Sequence, residues 1–267
     1  MKGAFPILSV HGIRLFIHWT FFLLLGWVLL VNLQSGYRFP QLFWSLLFLL
    51  ATFACVALHE FGHALVAAHF GIRAKNIVLL PIGGVASIEK FPANPKQELS
   101  ISIAGPLVNI TIALLLLPFL QAYTPIWQLK EPISIAQGQH FLYNLHLVNL
   151  SLAAFNLIPA FPMDGGRIFR ALLGFRMNYV KATTIAAGMG KFIAAIFIAL
   201  GILFMNLFLP LIGLFIILSA STEEYYLRLK TLVQGLTLKD VLMYDYNSLQ
   251  AGMHVQEAAG ALMNNHE

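Results

Sequence analysis

The chain has 267 residues, 59% of them hydrophobic and only 10% charged, with a mean hydropathy of +0.78. Soluble domains carry about 25% charged residues, so this composition excludes an ordinary soluble protein and indicates an integral membrane one. The formal charge is +5, but the basic residues lie between apolar segments and form no single stripe, which excludes a nucleic-acid surface.

In chain order, Met1 to Arg14 has no small-residue cleavage site and reads as the lead into a retained first helix. Six apolar runs approach the ~20 residues that a spanning helix needs. They are Phe16 to Leu33, Leu42 to Phe70, Leu99 to Leu120, Phe141 to Leu157, Ile185 to Met205 and Leu207 to Thr222. Between the second and third lies IVLLPIGGVASI, Ile77 to Ile88. Two short apolar runs around Pro81, Gly83 and Gly84 predict a re-entrant, hairpin-like strand pair. Such backbone is tolerated at membrane depth only where it is buried in protein or lines a watery cavity. Pro159 to Lys181 reads as a Pro- and Gly-rich basic connection. The expected fold is an all-α polytopic membrane protein with about six transmembrane helices and this one hairpin.

Six spans put both termini on one side. Of the 16 Lys and Arg, only Arg38 and Lys130 fall on the opposite side, and Lys191 lies within the fifth run. The positive-inside rule then places the termini in the cytoplasm. After Glu223 the chain turns polar, and about 40 residues is too short for an independent core. The expected domains are therefore 1–224 in the membrane and a cytoplasmic segment over 225–267. Cys55 is the single cysteine, so an internal disulfide is excluded.

The chemistry concentrates in the second run, which contains His59-Glu60-Phe61-Gly62-His63. Residues four apart share a helix face. Both imidazoles can bind one metal there, with Glu60 beside them to deprotonate a water. Ionisable groups inside a bilayer cost about 2.5–3.5 kcal/mol each and mark function. The plainer reading is hydrogen bonding within a helical bundle. A catalytic zinc usually takes a third protein ligand. Asp164, in AFPMDGGR at the end of the fourth run, is the candidate. On its residues alone this segment reads equally as a ligand carrier or as an Asp-Gly surface turn paired with Arg167. His69 lies on another helix face, His11 and His18 flank the first run, and His140 and His146 lie at the far end of the fourth. Cys55 shares the face of His59 but reads as a packed small residue.

HEFGH in one span and FPMDGGR at the end of a later one resemble the site-2 protease family of intramembrane metalloproteases. Ala104-Gly105-Pro106 with Asn109, and Asn156-Leu157-Ile158-Pro159, fit the same pattern. The resemblance covers about Gly12 to Glu224. It implies one catalytic zinc ion bound by His59, His63 and Asp164, with Glu60 as general base. It places Asn156 where the reacting carbonyl or the substrate is stabilised; an interhelical hydrogen bond is the alternative. Asn109 is assigned a substrate contact, with helix packing beside Gly105 as the alternative. Gly83 and Gly84 would let an extended substrate pair with a strand edge. The implied partners are a membrane-protein substrate segment and the lipid bilayer, in a prokaryotic plasma membrane, with the active site toward the cytoplasm. Oligomeric state is left open.

The tail, with LKDVLM at 238–243 and VQEAA at 255–259, resembles the opening of a CBS domain. Adenine nucleotide binding is implied only if a longer chain completes a CBS pair, and a shortened chain is expected. The alternative of a different class is a membrane metal or ion transporter built on the same polar cluster. Its polar residues should be spread along a path across the membrane, whereas these cluster in the cytoplasmic half.

Overall fold

The computed structural model describes residues 3–10, 12–72, 74–81, 83–88, 94–121, 138–233 and 254–256. The chain divides into two compact units, Met1–Tyr225 and Tyr226–Glu267. The CBS-like motif at 238–243, and all of the second motif beyond 256, lie outside the described residues.

The first unit is helical with a small sheet. Two strands open it, β1 (Ala4–Val10) and β2 (Ile13–His18), followed by helices α1 (Thr20–Gln34) and α2 (Phe39–His69). Strands β3 (Ala74–Leu80) and β4 (Gly83–Ile88) come next, then α3 (Pro95–Gln121), α4 (Phe141–Asn156), α5 (Asp164–Gly174), α6 (Tyr179–Leu203) and α7 (Phe208–Val233). Helices α2, α3, α6 and α7 have the length and hydropathy to cross a membrane. Helices α1 and α4, at 15 and 16 residues, are shorter than a full span. The six apolar runs thus correspond to six helices, four of which meet that measure.

The outer faces carry large exposed apolar side chains, among them Leu115 (67%), Phe192 (63%) and Ile202 (71%). On a soluble protein such surfaces would drive association; facing acyl chains they need no partner. Small residues supply the interior. Ala186, Ala187, Ala194 and Ala220 are fully buried and bring α6 and α7 close to the loop at Ala160 and Phe161.

Two expectations about local structure are corrected. The first apolar run does not start a helix at Phe16: Phe16 and Ile17 belong to β2, and α1 begins at Thr20. Ile13 and Leu15 alternate inward and pack with Ile77 and Leu79 against Ala57 and Ala64 of α2. Period-two burial, not the helical period, governs this stretch. The hairpin at 77–88 forms as expected but is half of a larger sheet, ordered β1-β2-β3-β4. Strands β2 and β3 pair in parallel, while β1–β2 and β3–β4 are antiparallel hairpins. Gly12, at φ +80°, supplies the left-handed position in the first of these turns.

The second correction concerns 159–181, which holds an 11-residue helix and is more than a connection. Gly165 and Gly166 seat its first turn directly on the preceding loop. A Cβ on Gly165 would stand 2.3 Å from the carbonyl oxygens of Leu157 and Ile158, and one on Gly166 2.6 Å from the Ala160 carbonyl carbon. This close seating turns the first residue of α5, Asp164, inward.

Candidate active site

Helix α2 brings His59 and His63 onto one face, one turn apart, in its last third. Both are buried, at 6% and 7% exposure. Helix α5 delivers Asp164 to the same point. Nε2 of each histidine lies 3.1 Å from Asp164 Oδ2, and the two Nε2 atoms are 3.1 Å apart. Ligands about 2.05 Å from a tetrahedral zinc stand about 3.3 Å apart. The three-donor triangle therefore has the dimensions of three corners of such a site, with the fourth open.

Hydrogen bonding behind the rings decides what these short contacts are. His63 Nδ1 is 2.7 Å from the Ile101 carbonyl, and His59 Nδ1 meets Asn109 Oδ1. Both partners only accept, so each Nδ1 carries a proton, and in the neutral ring each Nε2 presents a lone pair. Asp164 adds an anionic oxygen. With both rings neutral, three acceptors face one another within hydrogen-bond distance with no donor among them. A divalent cation satisfies all three at once, so the donor set fits zinc.

The space in front of the donors is kept by a glycine of α3. A Cβ on Gly105 would stand 2.2 Å from His63 Nε2 and 2.6 Å from His59 Nε2. Any side chain there would occupy the place of an ion. Gly62 plays the matching part on α2, where a Cβ would lie 2.8 Å from Val108 and 3.0 Å from the Ala104 carbonyl. These two glycines let α2 and α3 approach closely.

The donors open into a cavity of about 540 Å³. Glu60, half-buried, lines it, as do Gly83, Gly84, Asn156 and Arg167. Strand β4, at the edge of the sheet, runs against Glu60: a Cβ on Gly84 would lie 2.5 Å from Glu60 Cγ. Asn156 donates one amide hydrogen to the Leu152 carbonyl at 2.9 Å. Asn109, expected at the substrate, is fully buried and uses its carboxamide on His59 and, at 2.8 Å, on Asn149.

Two residues here were missed at the sequence level. Asn149, 0% exposed, stands behind Asn109, and Ser102, 1% exposed, borders the cavity with a hydroxyl lacking any partner among the described residues. A buried asparagine in an apolar run is a recognisable signal; a serine one turn before Gly105 is not.

Residues 47–200 match the model of peptidase family M50. A zinc metalloprotease of Methanocaldococcus jannaschii is 38% identical over 257 residues, covering 96% of this chain and 71% of that protein. Stage IV sporulation protein FB of Bacillus subtilis is 34% identical over 135 residues, half of this chain and 43% of the relative. The solved structure of a site-2 protease from Methanocaldococcus jannaschii superposes with a TM-score of 0.58 at 36% identity. It covers 93% of this chain and all of that one.

Proposed function

The chain belongs to peptidase family M50, the site-2 proteases, and we propose that His59, His63 and Asp164 hold its zinc while Glu60 is the general base. It is an intramembrane zinc metalloprotease, of the family that carries out regulated intramembrane proteolysis on membrane-protein substrates. The convergence of three lone-pair donors, with a carboxylate beside them in one cavity, supports the residue assignment most strongly.

His59, His63 and Asp164 would hold a zinc ion there, and that ion would supply Lewis acidity to the attacking water and the scissile carbonyl. Glu60 takes the proton of that water and returns it to the departing amide nitrogen. Asn156 keeps a second amide hydrogen beyond the one given to Leu152, and this is the donor we assign to the developing oxyanion. A substrate helix has its backbone groups already paired, so it must unwind before its carbonyl can be reached. Strand β4 offers replacement hydrogen bonds along its outer edge. With no side chain on Gly83 or Gly84, a peptide added to β4 passes next to Glu60.

The bias of basic residues supports an active site and both termini on the cytoplasmic side of a prokaryotic plasma membrane. We assign 1–224 to the protease and 225–267 to a linker and an incomplete CBS-like segment. Nucleotide binding would require the complete pair in a longer chain.

The test uses detergent-purified protein, its zinc content, and cleavage of a membrane-segment substrate by wild type and Glu60→Gln. Both should hold zinc, and the variant should cleave about 10²–10⁴-fold more slowly. Undiminished cleavage by Glu60→Gln would remove Glu60 as the base; a zinc-free wild type that still cleaves would remove the metal site.

A further inference from the structure

We propose that Asn149 is a positioning residue for the metal site: it orients the Asn109 carboxamide, which holds the His59 Nε2 lone pair toward zinc. The proposal rests on His59 being a zinc ligand.

The chain of bonds has one polarity, and a backbone carbonyl sets it. The Leu145 carbonyl only accepts, and it lies 2.8 Å from the Asn149 amide nitrogen. The other hydrogen of that nitrogen points to Cys55 Sγ at 3.4 Å. Asn149 Oδ1 therefore faces the other way and accepts from Asn109 Nδ2 at 2.8 Å. That contact turns Asn109 Oδ1 to His59 Nδ1, which must carry the proton. Nε2 is left bare on the side of Asp164 and His63.

Reversing one amide would reverse the outcome at the metal. A flipped Asn109 presents its N–H₂ to His59 Nδ1, the ring proton moves to Nε2, and a proton then stands where the ion should bind. Both asparagines are 0% exposed, so bulk water cannot substitute for either partner. His63 needs no such relay, because its Nδ1 donates directly to the Ile101 carbonyl. The two histidines therefore differ: one is oriented by the main chain, the other by two side chains on α3 and α4.

Zinc affinity of the purified full chain, measured by competition with a chromogenic chelator, tests this without recourse to turnover. Asn149→Leu should weaken zinc about 10–100-fold. In an Asn109→Asp background the same substitution should cost nothing further, because a carboxylate offers an acceptor oxygen whichever way it turns. Wild-type affinity in Asn149→Leu overturns the proposal, as does an equal loss in both backgrounds, which would make Asn149 merely structural. Should Asn149→Leu not fold, Asn149→Asp decides. Its acid O–H can donate to Leu145 and its carbonyl can accept from Asn109, so affinity should stay at the wild-type value, and a loss overturns the relay. If His59→Ala itself keeps wild-type affinity, the underlying ligand assignment has failed instead.

Discussion

Helix α5 carries a buried polar cluster at each end, and the two are built on opposite principles. At its start, Asp164 meets His59 and His63, three acceptors with no donor between them. Two turns on, Arg170 donates to Glu98 from Nε at 2.8 Å and to Glu223 from Nη1 at 3.4 Å, with the rings of Phe161 and Tyr179 5.0 and 4.9 Å from its guanidinium. Burial lowers the Arg170 pKa, but Glu98 foremost, with Tyr179 and Glu223, brings a net rise, so the guanidinium stays charged. The second cluster is complete in itself and ties α3, α5 and α7 together. The first is complete only with a cation. Both are buried in the same short helix; what separates a site from a clamp is whether the donors and acceptors cancel.

The contrast predicts different losses from the two ends. Gly105→Ala puts a methyl group between the two Nε2 atoms and should abolish zinc binding and cleavage together while the protein still folds. Zinc analysis beside a thermal melt of metal-free protein checks this, and a variant retaining zinc would show that α3 does not shape the metal pocket. Glu98→Ala leaves Arg170 buried with only Glu223 as a charged partner among the described residues, and should destabilise the protein by about 3–5 kcal/mol. Zinc affinity of its folded fraction should match wild type. A shared loss of metal would mean that the clamp is part of the site.

Much of the site was legible from the chain alone because local spacing encodes it. The i, i+4 period places His59 and His63 on one face whatever the tertiary structure. The hairpin at 77–88 was readable because Pro and Gly punctuate two short apolar runs. Asp164 was harder, since on its residues the segment could equally have been a surface turn. Its ligand geometry depends on Gly165 and Gly166 seating α5 against the carbonyls of the loop just before it. Strand β2 was hidden because Phe16 and Ile17 are as apolar as the helix that follows, and pairing with β1 and β3 makes them strand. Asn149 was visible as a polar residue in an apolar run, but its role was hidden because its partners lie on α2 and α3, 94 and 40 residues away.

We assign the metal to two imidazoles and one carboxylate, with the sulfur of Cys55 kept behind the asparagine relay. Zinc K-edge X-ray absorption on the purified protein tests it most directly. The expected first shell is nitrogen and oxygen only, at about 2.0–2.2 Å, with the outer scattering of two imidazoles. A sulfur scatterer at about 2.3 Å would bring Cys55 into the shell, and a single imidazole would remove one of the two histidines; either result would contradict the site described here.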